Sequence, residues 1–166
     1  KGTVLKNWKD IEIRRGITTN CNDCFTISSE KRSQLLNNCS NEVELALTES
    51  LLIPVVRGRD IHRYYYKPPD TWLIYIPSGW TDSVRGNLDG EDYMKKNLPA
   101  LYSHFKQYKE MLEKKNHAGK YWWELNATHS NYFDKEKLVW SRITVEPRFT
   151  IVGKGIYVLD SCAFIL

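Results

Sequence analysis

No uninterrupted apolar run of eighteen residues occurs in this sequence, and its first residues do not follow the basic, apolar, small-residue order of a signal peptide. Membrane and export readings therefore find no support, and a cytoplasmic location with no membrane partner is the expectation. Charge of one sign is scarce as well. Twenty-four basic against 20 acidic side chains give a net charge of +4, too mild a bias to identify a nucleic-acid binder by itself. The four cysteines include one Cys-x-x-Cys, Cys21 and Cys24, whereas zinc needs a second pair and Cys39 and Cys162 are isolated. A metal or redox role thus competes with the plainer reading of reduced thiols. His62, His104, His117 and His129 are too scattered to share a metal, and ordinary surface roles are the expectation for His104, on a helix, and His117, at its end. The sequence has no Gly-x-Ser-x-Gly, P-loop or Gly-x-Gly-x-x-Gly. It also lacks internal repeats, linkers and low-complexity stretches. No catalytic residue, cofactor or metal site of its own is predicted.

What the sequence does have is aromatic side chains, six Trp and ten Tyr in 166 residues, enough for a broad contact surface as well as a core. That length fits a single domain, residues 1–166. "WKDIEIRRGITTNCNDCFTIS" reads as strand, polar loop, strand. Helical spacing runs from Ser29 to Leu52 in two pieces, with Ser29 and Asn41 as N-caps. "LLIPVV" and "WLIYIP" read as buried strands, and "SGWTDSVRGNLDGED" as a turn-rich loop. Leu98, Leu101, Phe105, Tyr108 and Leu112 recur at steps of three and four. This predicts one amphipathic helix, begun at Pro99 and ended by "NHAGK". The remainder is β-rich: "KLVWSRI", then "RFTIV" and "IYVL" joined as a hairpin through "GKG", then "CAFIL". A chain stopping on so apolar a strand is expected to be one part of a longer polypeptide.

Two fragments imitate enzyme motifs. "KPPD" has the two prolines of the Asn-Pro-Pro-aromatic loop of amino-methyltransferases, but Lys67 and Asp70 stand where the amine-holding Asn and the stacking ring belong. Asp70 with Glu113-x-Lys115 imitates a magnesium nuclease, yet Glu113 falls on the amphipathic helix, where charges usually face solvent.

The arginines are distributed unevenly. Arg57, Arg59 and Arg63 lie just past one strand, Arg14 and Arg15 end another, and Arg142 and Arg148 flank the "TVEP" connection. Loops at strand ends are where rigid scaffolds present binding groups. The guanidinium fork grips guanine O6 and N7, or a phosphate, in two-point contacts. The alternative is bracing, in which Arg57 or Arg59 ties its loop down, with Arg59 and Asp60 the first pair to suspect. In "GKYWWELN", Lys120 sits beside Trp122 and Trp123. One of these tryptophans belongs to a core, and core packing competes with base or sugar stacking for the other.

In order along the chain, "IEIRRGITTNCNDCFTIS", "LLIPVVRGRDIHRYYYKPPDTWLIYIP", "LPALYSHFKQYKEMLEKK", "GKYWWELN" and "KLVWSRITVEPRFTIVGKGIYVLDSCAFI" together resemble the TaqI-like C-terminal specificity domain. This is the target-recognition domain of type II DNA adenine methyltransferases and of fused type IIG restriction-modification enzymes. The resemblance implies an α+β fold, with a twisted, partly β-helix-like β structure plus a helical segment. It implies a module that recognises double-stranded DNA and is not itself an enzyme. The methyltransferase domain of the same polypeptide would use S-adenosylmethionine, with magnesium if a nuclease is fused. Expected DNA contacts are Arg14, Arg15, Asn20, Asn22, Arg57, Arg59, Arg63, Lys120, Trp122, Arg142 and Arg148. The family carries glycine where Asn20 stands, alanine where Cys24 stands, and often a basic residue where Asn126 stands. A second reading, from another class, is a regulatory domain whose aromatic surface binds a protein partner.

Overall fold

The computed structural model describes residues 4, 7, 9, 11–114, 119–126 and 131–166. The fold is α+β. The expected single domain is organised as two compact units, one of Lys1–Thr18, Pro54–Pro69 and His129–Leu166, the other of Thr19–Ile53 and Asp70–Thr128.

The first unit is built on an antiparallel sheet. Its strands are β1 (Arg14–Arg15), β5 (Lys137–Ser141), β6 (Phe149–Val152) and β8 (Cys162–Ile165), in the order β1-β8-β5-β6. Burial alternates along β5 and β6, as a sheet with one covered face requires. The covered face meets Phe133, whose ring stacks on Tyr157 at 4.3 Å and lies 5.4 Å from Phe164. Lys137 is buried too, and its Nζ donates to the carbonyls of Lys135 at 2.9 Å and Gly153 at 3.0 Å. Beside this sheet, Val55 and Val56 at the end of β3 (Leu52–Val56) pair in parallel with β7 (Tyr157–Val158). Leu159 forms a parallel bridge to Ile17 on the other side.

The "GKG" hairpin is therefore a correction. Gly155 has the positive φ expected of a turn glycine, 76°, but β6 pairs with β5 and β7 with β3. The turn redirects the chain to a parallel neighbour about a hundred residues earlier, a choice that local pattern does not encode.

In the second unit β2 (Thr26–Ser28) pairs antiparallel with β4 (Thr71–Ile74). Around them run α1 (Asn22–Phe25), α2 (Ser29–Asn37), α3 (Glu42–Ser50), α4 (Trp80–Val84), α5 (Gly90–Asn97), α6 (Pro99–Lys106) and α7 (Lys109–Glu113). Phe25, Leu73, Ile74, Ile76, Met94, Leu101 and Phe105 are fully buried in the core. Asn41 caps α3 through its side chain as expected, but α2 is capped by Ser28, because the hydroxyl of Ser29 instead accepts from the Trp72 indole at 3.1 Å.

Two further expectations change here. The "SGWTDSVRGNLDGED" stretch holds α4 and the start of α5, whose N-cap Asp89 accepts from the amides of Glu91 and Asp92. The single amphipathic helix is interrupted at Gln107 and Tyr108, although its stripe of Leu101, Phe105 and Leu112 stays buried. Of the "NHAGK" end, Asn116, His117 and Ala118 lie outside the described residues, as does His129.

Cys21 and Cys24 are joined as a disulfide rather than left as thiols, since one helical turn brings their Cα atoms within 5.4 Å. Cys162 is a free, buried thiol whose pKa desolvation pushes up to about 12. It is therefore a packing residue, with no thiolate nucleophile at neutral pH.

Candidate nucleic-acid interface

β3 delivers its chain into a tight three-residue 3-10 turn, Gly58–Asp60. Gly58 is essential to its position: a Cβ there would lie 2.8 Å from both Ser141 Oγ and the carbonyl oxygen of Ser161. The Gly58 amide donates to Ser161 Oγ at 2.8 Å, which fixes the turn against the end of β5 and the start of β8. Asp60 closes the turn. Its carboxylate accepts from the Arg57 amide at 2.9 Å and from Arg57 Nε at 3.0 Å.

The arginines of the "RGRD" sequence therefore divide in two. Arg57 braces the turn and is half-buried, whereas Arg59 is exposed. The pair suspected from sequence, Arg59 with Asp60, is replaced by Arg57 with Asp60. The reason is spacing: in this turn the backbone amide and Nε of the residue three before Asp60 converge on one carboxylate.

Arg59 borders a hollow of about 360 Å³ whose other walls include Ser141, Ile143, Val145, Arg148 and Ser161. Among the described residues neither Arg59 nor Arg148 has an acidic side chain in salt-bridge contact. Arg142 is exposed at the same β5–β6 connection and donates to the carbonyl of Asp160 at 2.7 Å, leaving the rest of its fork to solvent. Arg63 is exposed next to the Tyr64 ring, 5.1 Å from its centroid. Tyr64 in turn donates its amide to the Phe149 carbonyl at 2.8 Å, one residue from Arg148. The structure thus brings the 57–64 and 141–149 segments together, and with them Arg59, Arg63, Arg142 and Arg148.

Arg14 and Arg15 lie on β1 at the opposite edge of the sheet order from β6. Arg14 is held by Glu12 and by the Tyr132 ring at 3.7 Å, while Arg15 is exposed.

The candidates in the second unit are more fully committed to its own structure. Asn20 is exposed with φ 55°, in the left-handed region that Asn tolerates better than most residues other than glycine. Asn22 Oδ1 accepts from Thr19 Oγ1 at 2.6 Å. Lys120 is paired with Asp82, which also accepts from Arg85 at 2.6 Å and from Tyr121 at 2.9 Å. Lys120, then Arg85 and Tyr121, hold the Asp82 carboxyl well below the usual carboxylate range. Trp123 is the buried tryptophan. Trp122 is half-buried edge-on against it at 5.0 Å, with the Lys109 ammonium 5.4 Å from the Trp122 ring.

Sequence reading passed over Glu124, which is buried and accepts from the amides of Gly79, Thr81 and Tyr121. The glutamate of "GKYWWELN" is therefore a clamp on the α4 entry. Asp70 is exposed and Glu113 pairs with Lys109 at 3.7 Å. Among the described residues no three His, Cys, Asp or Glu side chains converge as metal ligands, and no helix is long and apolar enough to cross a membrane.

No family model matches this chain, and no curated protein does. Solved structures do. Among them is that of the type IIL restriction-modification enzyme MmeI in complex with DNA, similar with a TM-score of 0.65 over 95% of this chain at 12% sequence identity. The chain spans 19% of the length of that protein. At such identity the likeness is one of fold: this chain is folded like a part of a restriction-modification enzyme.

Proposed function

We propose that this chain is a recognition module for double-stranded DNA within a restriction-modification enzyme or DNA adenine methyltransferase. The chemistry then belongs to other parts of the polypeptide: S-adenosylmethionine to a methyltransferase domain, and magnesium to any fused nuclease. The observation that carries this reading is the likeness of nearly the whole chain to part of a DNA-bound restriction-modification enzyme. The arginines give it a physical basis. Arg59, Arg142 and Arg148 stand on two loops fixed to each other through Gly58 and Ser161, with donors free for phosphate or base edges. Arg57 contributes indirectly, by fixing the turn that presents Arg59.

Fluorescence anisotropy with a labelled duplex tests the proposal. The wild-type chain is expected to bind at low salt. Arg59→Ala combined with Arg148→Ala is expected to weaken binding at least tenfold, with an unchanged circular dichroism spectrum. Absence of duplex binding, or equal binding by the double variant, contradicts it.

A further inference from the structure

The β5–β6 connection carries a feature that phosphate binding does not need. Ile143 and Val145 are 91% and 103% exposed, two residues apart in a loop bordered by arginines. The loop is tied down: Ser141 Oγ donates to the Ile143 carbonyl at 3.1 Å, and Thr144 Oγ1 donates to the Glu146 carbonyl at 2.8 Å. Pro147 fixes a further φ. Both apolar side chains are β-branched and stiff at χ1, so holding them in one orientation on contact costs little entropy. They form one wall of the hollow that also contains Arg59 and Arg148. The charges of the two loop segments, Arg59, Arg142 and Arg148 against Glu146, with Arg57 and Asp60 cancelling, favour a polyanion over an apolar partner surface.

In the major groove of DNA one apolar group interrupts the polar base edges, the 5-methyl of thymine, and small aliphatic side chains are what contacts it. Resting on the DNA-reading role proposed above, we infer that the 142–148 connection reads thymine: Ile143 and Val145 pack against thymine 5-methyl groups in the major groove while Arg59 and Arg148 grip neighbouring DNA acceptors. Phosphate contacts from the arginines set register and carry no sequence information. The apolar pair supplies discrimination, because a cytosine in the thymine position presents an amino group and no methyl.

Selection of duplexes from a library with a randomised centre, using the whole chain, gives the preferred site. Replacing each thymine of that site by deoxyuridine then deletes single methyl groups without touching the protein. The wild-type chain is expected to lose about fourfold in affinity per contacted methyl. The Ile143→Ser/Val145→Ser variant, altered only at exposed positions and checked for an unchanged circular dichroism spectrum, is expected to bind thymine and uracil duplexes alike. A wild-type chain that selects a site but is indifferent to every uracil replacement overturns this inference and leaves the DNA-reading role standing. So does a variant that selects the wild-type site with the same methyl dependence. A wild-type chain that binds duplexes without enriching any sequence also overturns it, and one that binds no duplex removes both.

Discussion

The imidazole of His104 is buried beside Phe105 and Tyr108, and its Nε2 donates to the Cys24 carbonyl at 2.9 Å. That assigns the single proton of the neutral ring to Nε2 and leaves Nδ1 buried with no hydrogen-bond partner among the described residues. Protonating Nδ1 would add a charged donor with no acceptor, so desolvation lowers the pKa, against the opposing pull of the carbonyl contact. The folded-state value then lies below the unfolded one near 6.5, and the unfolded chain binds its proton first as pH falls. The stability associated with His104 is complete above about pH 6.5 and is lost as pH drops through the folded-state value. His104→Gln keeps a donor for Cys24 and removes the titration. Urea unfolding at neutral pH and at about pH 5 is expected to show a larger acid loss for the wild type than for this variant; equal losses contradict the assignment. Residues of this kind were illegible in sequence. The surface role expected for His104 is corrected to a buried one, hidden from sequence because its partner is a backbone carbonyl eighty residues away.

The element that decides the arginine cluster is the Gly58–Asp60 turn. Sequence identified the strand before it and the crowding of arginines after it, but not which arginine it consumes, since that depends on turn geometry that neither propensity nor periodicity describes. With both partners less than a third exposed, the Arg57–Asp60 contact is more than a solvated surface pair. Asp60→Ala leaves the Arg57 amide and guanidinium without their acceptor and is expected to cost about 1–3 kcal/mol. Chemical denaturation should show this as a lower midpoint at unchanged slope. Arg59→Ala should leave the midpoint where it is. If Arg59→Ala proves the more destabilising, the division between bracing and presenting residues is reversed. Other elements were legible to the degree that their signals are local. The Asn41 cap and the buried stripe of Leu101, Phe105 and Leu112 were read correctly, because a cap and a 3.6-residue period act within a few residues. Helix α4 and the start of α5 were read as loop because that stretch is rich in turn residues, Gly79, Gly86 and Gly90 among them.

At the scale of the molecule, a net charge of +4 says little about the proposed DNA binding, which would be governed by how many cations remain free to replace counterions on DNA. The two-unit organisation, whose segments interleave along the chain, was likewise hidden from a reading that moves residue by residue. Several cations are already engaged: Arg32 with Glu49 at 2.7 Å and over Trp72 at 4.2 Å, Arg85 and Lys120 with Asp82, and Arg57 with Asp60. A cation that already has its carboxylate gains little by exchanging it for phosphate, whereas an unpaired Arg59 or Arg148 releases a condensed counterion when it reaches one. Each such contact steepens the fall of log K with log salt by about 0.9. A salt series on the wild type should therefore give a straight line, and Arg59→Ala/Arg148→Ala a line shallower by about two units of slope. Arg32→Ala, which removes a cation already held by Glu49 and Trp72, should give the wild-type slope. If Arg32→Ala flattens the line as much as the double variant does, free and engaged cations contribute alike, and the strand-end arginines lose their special place in DNA binding.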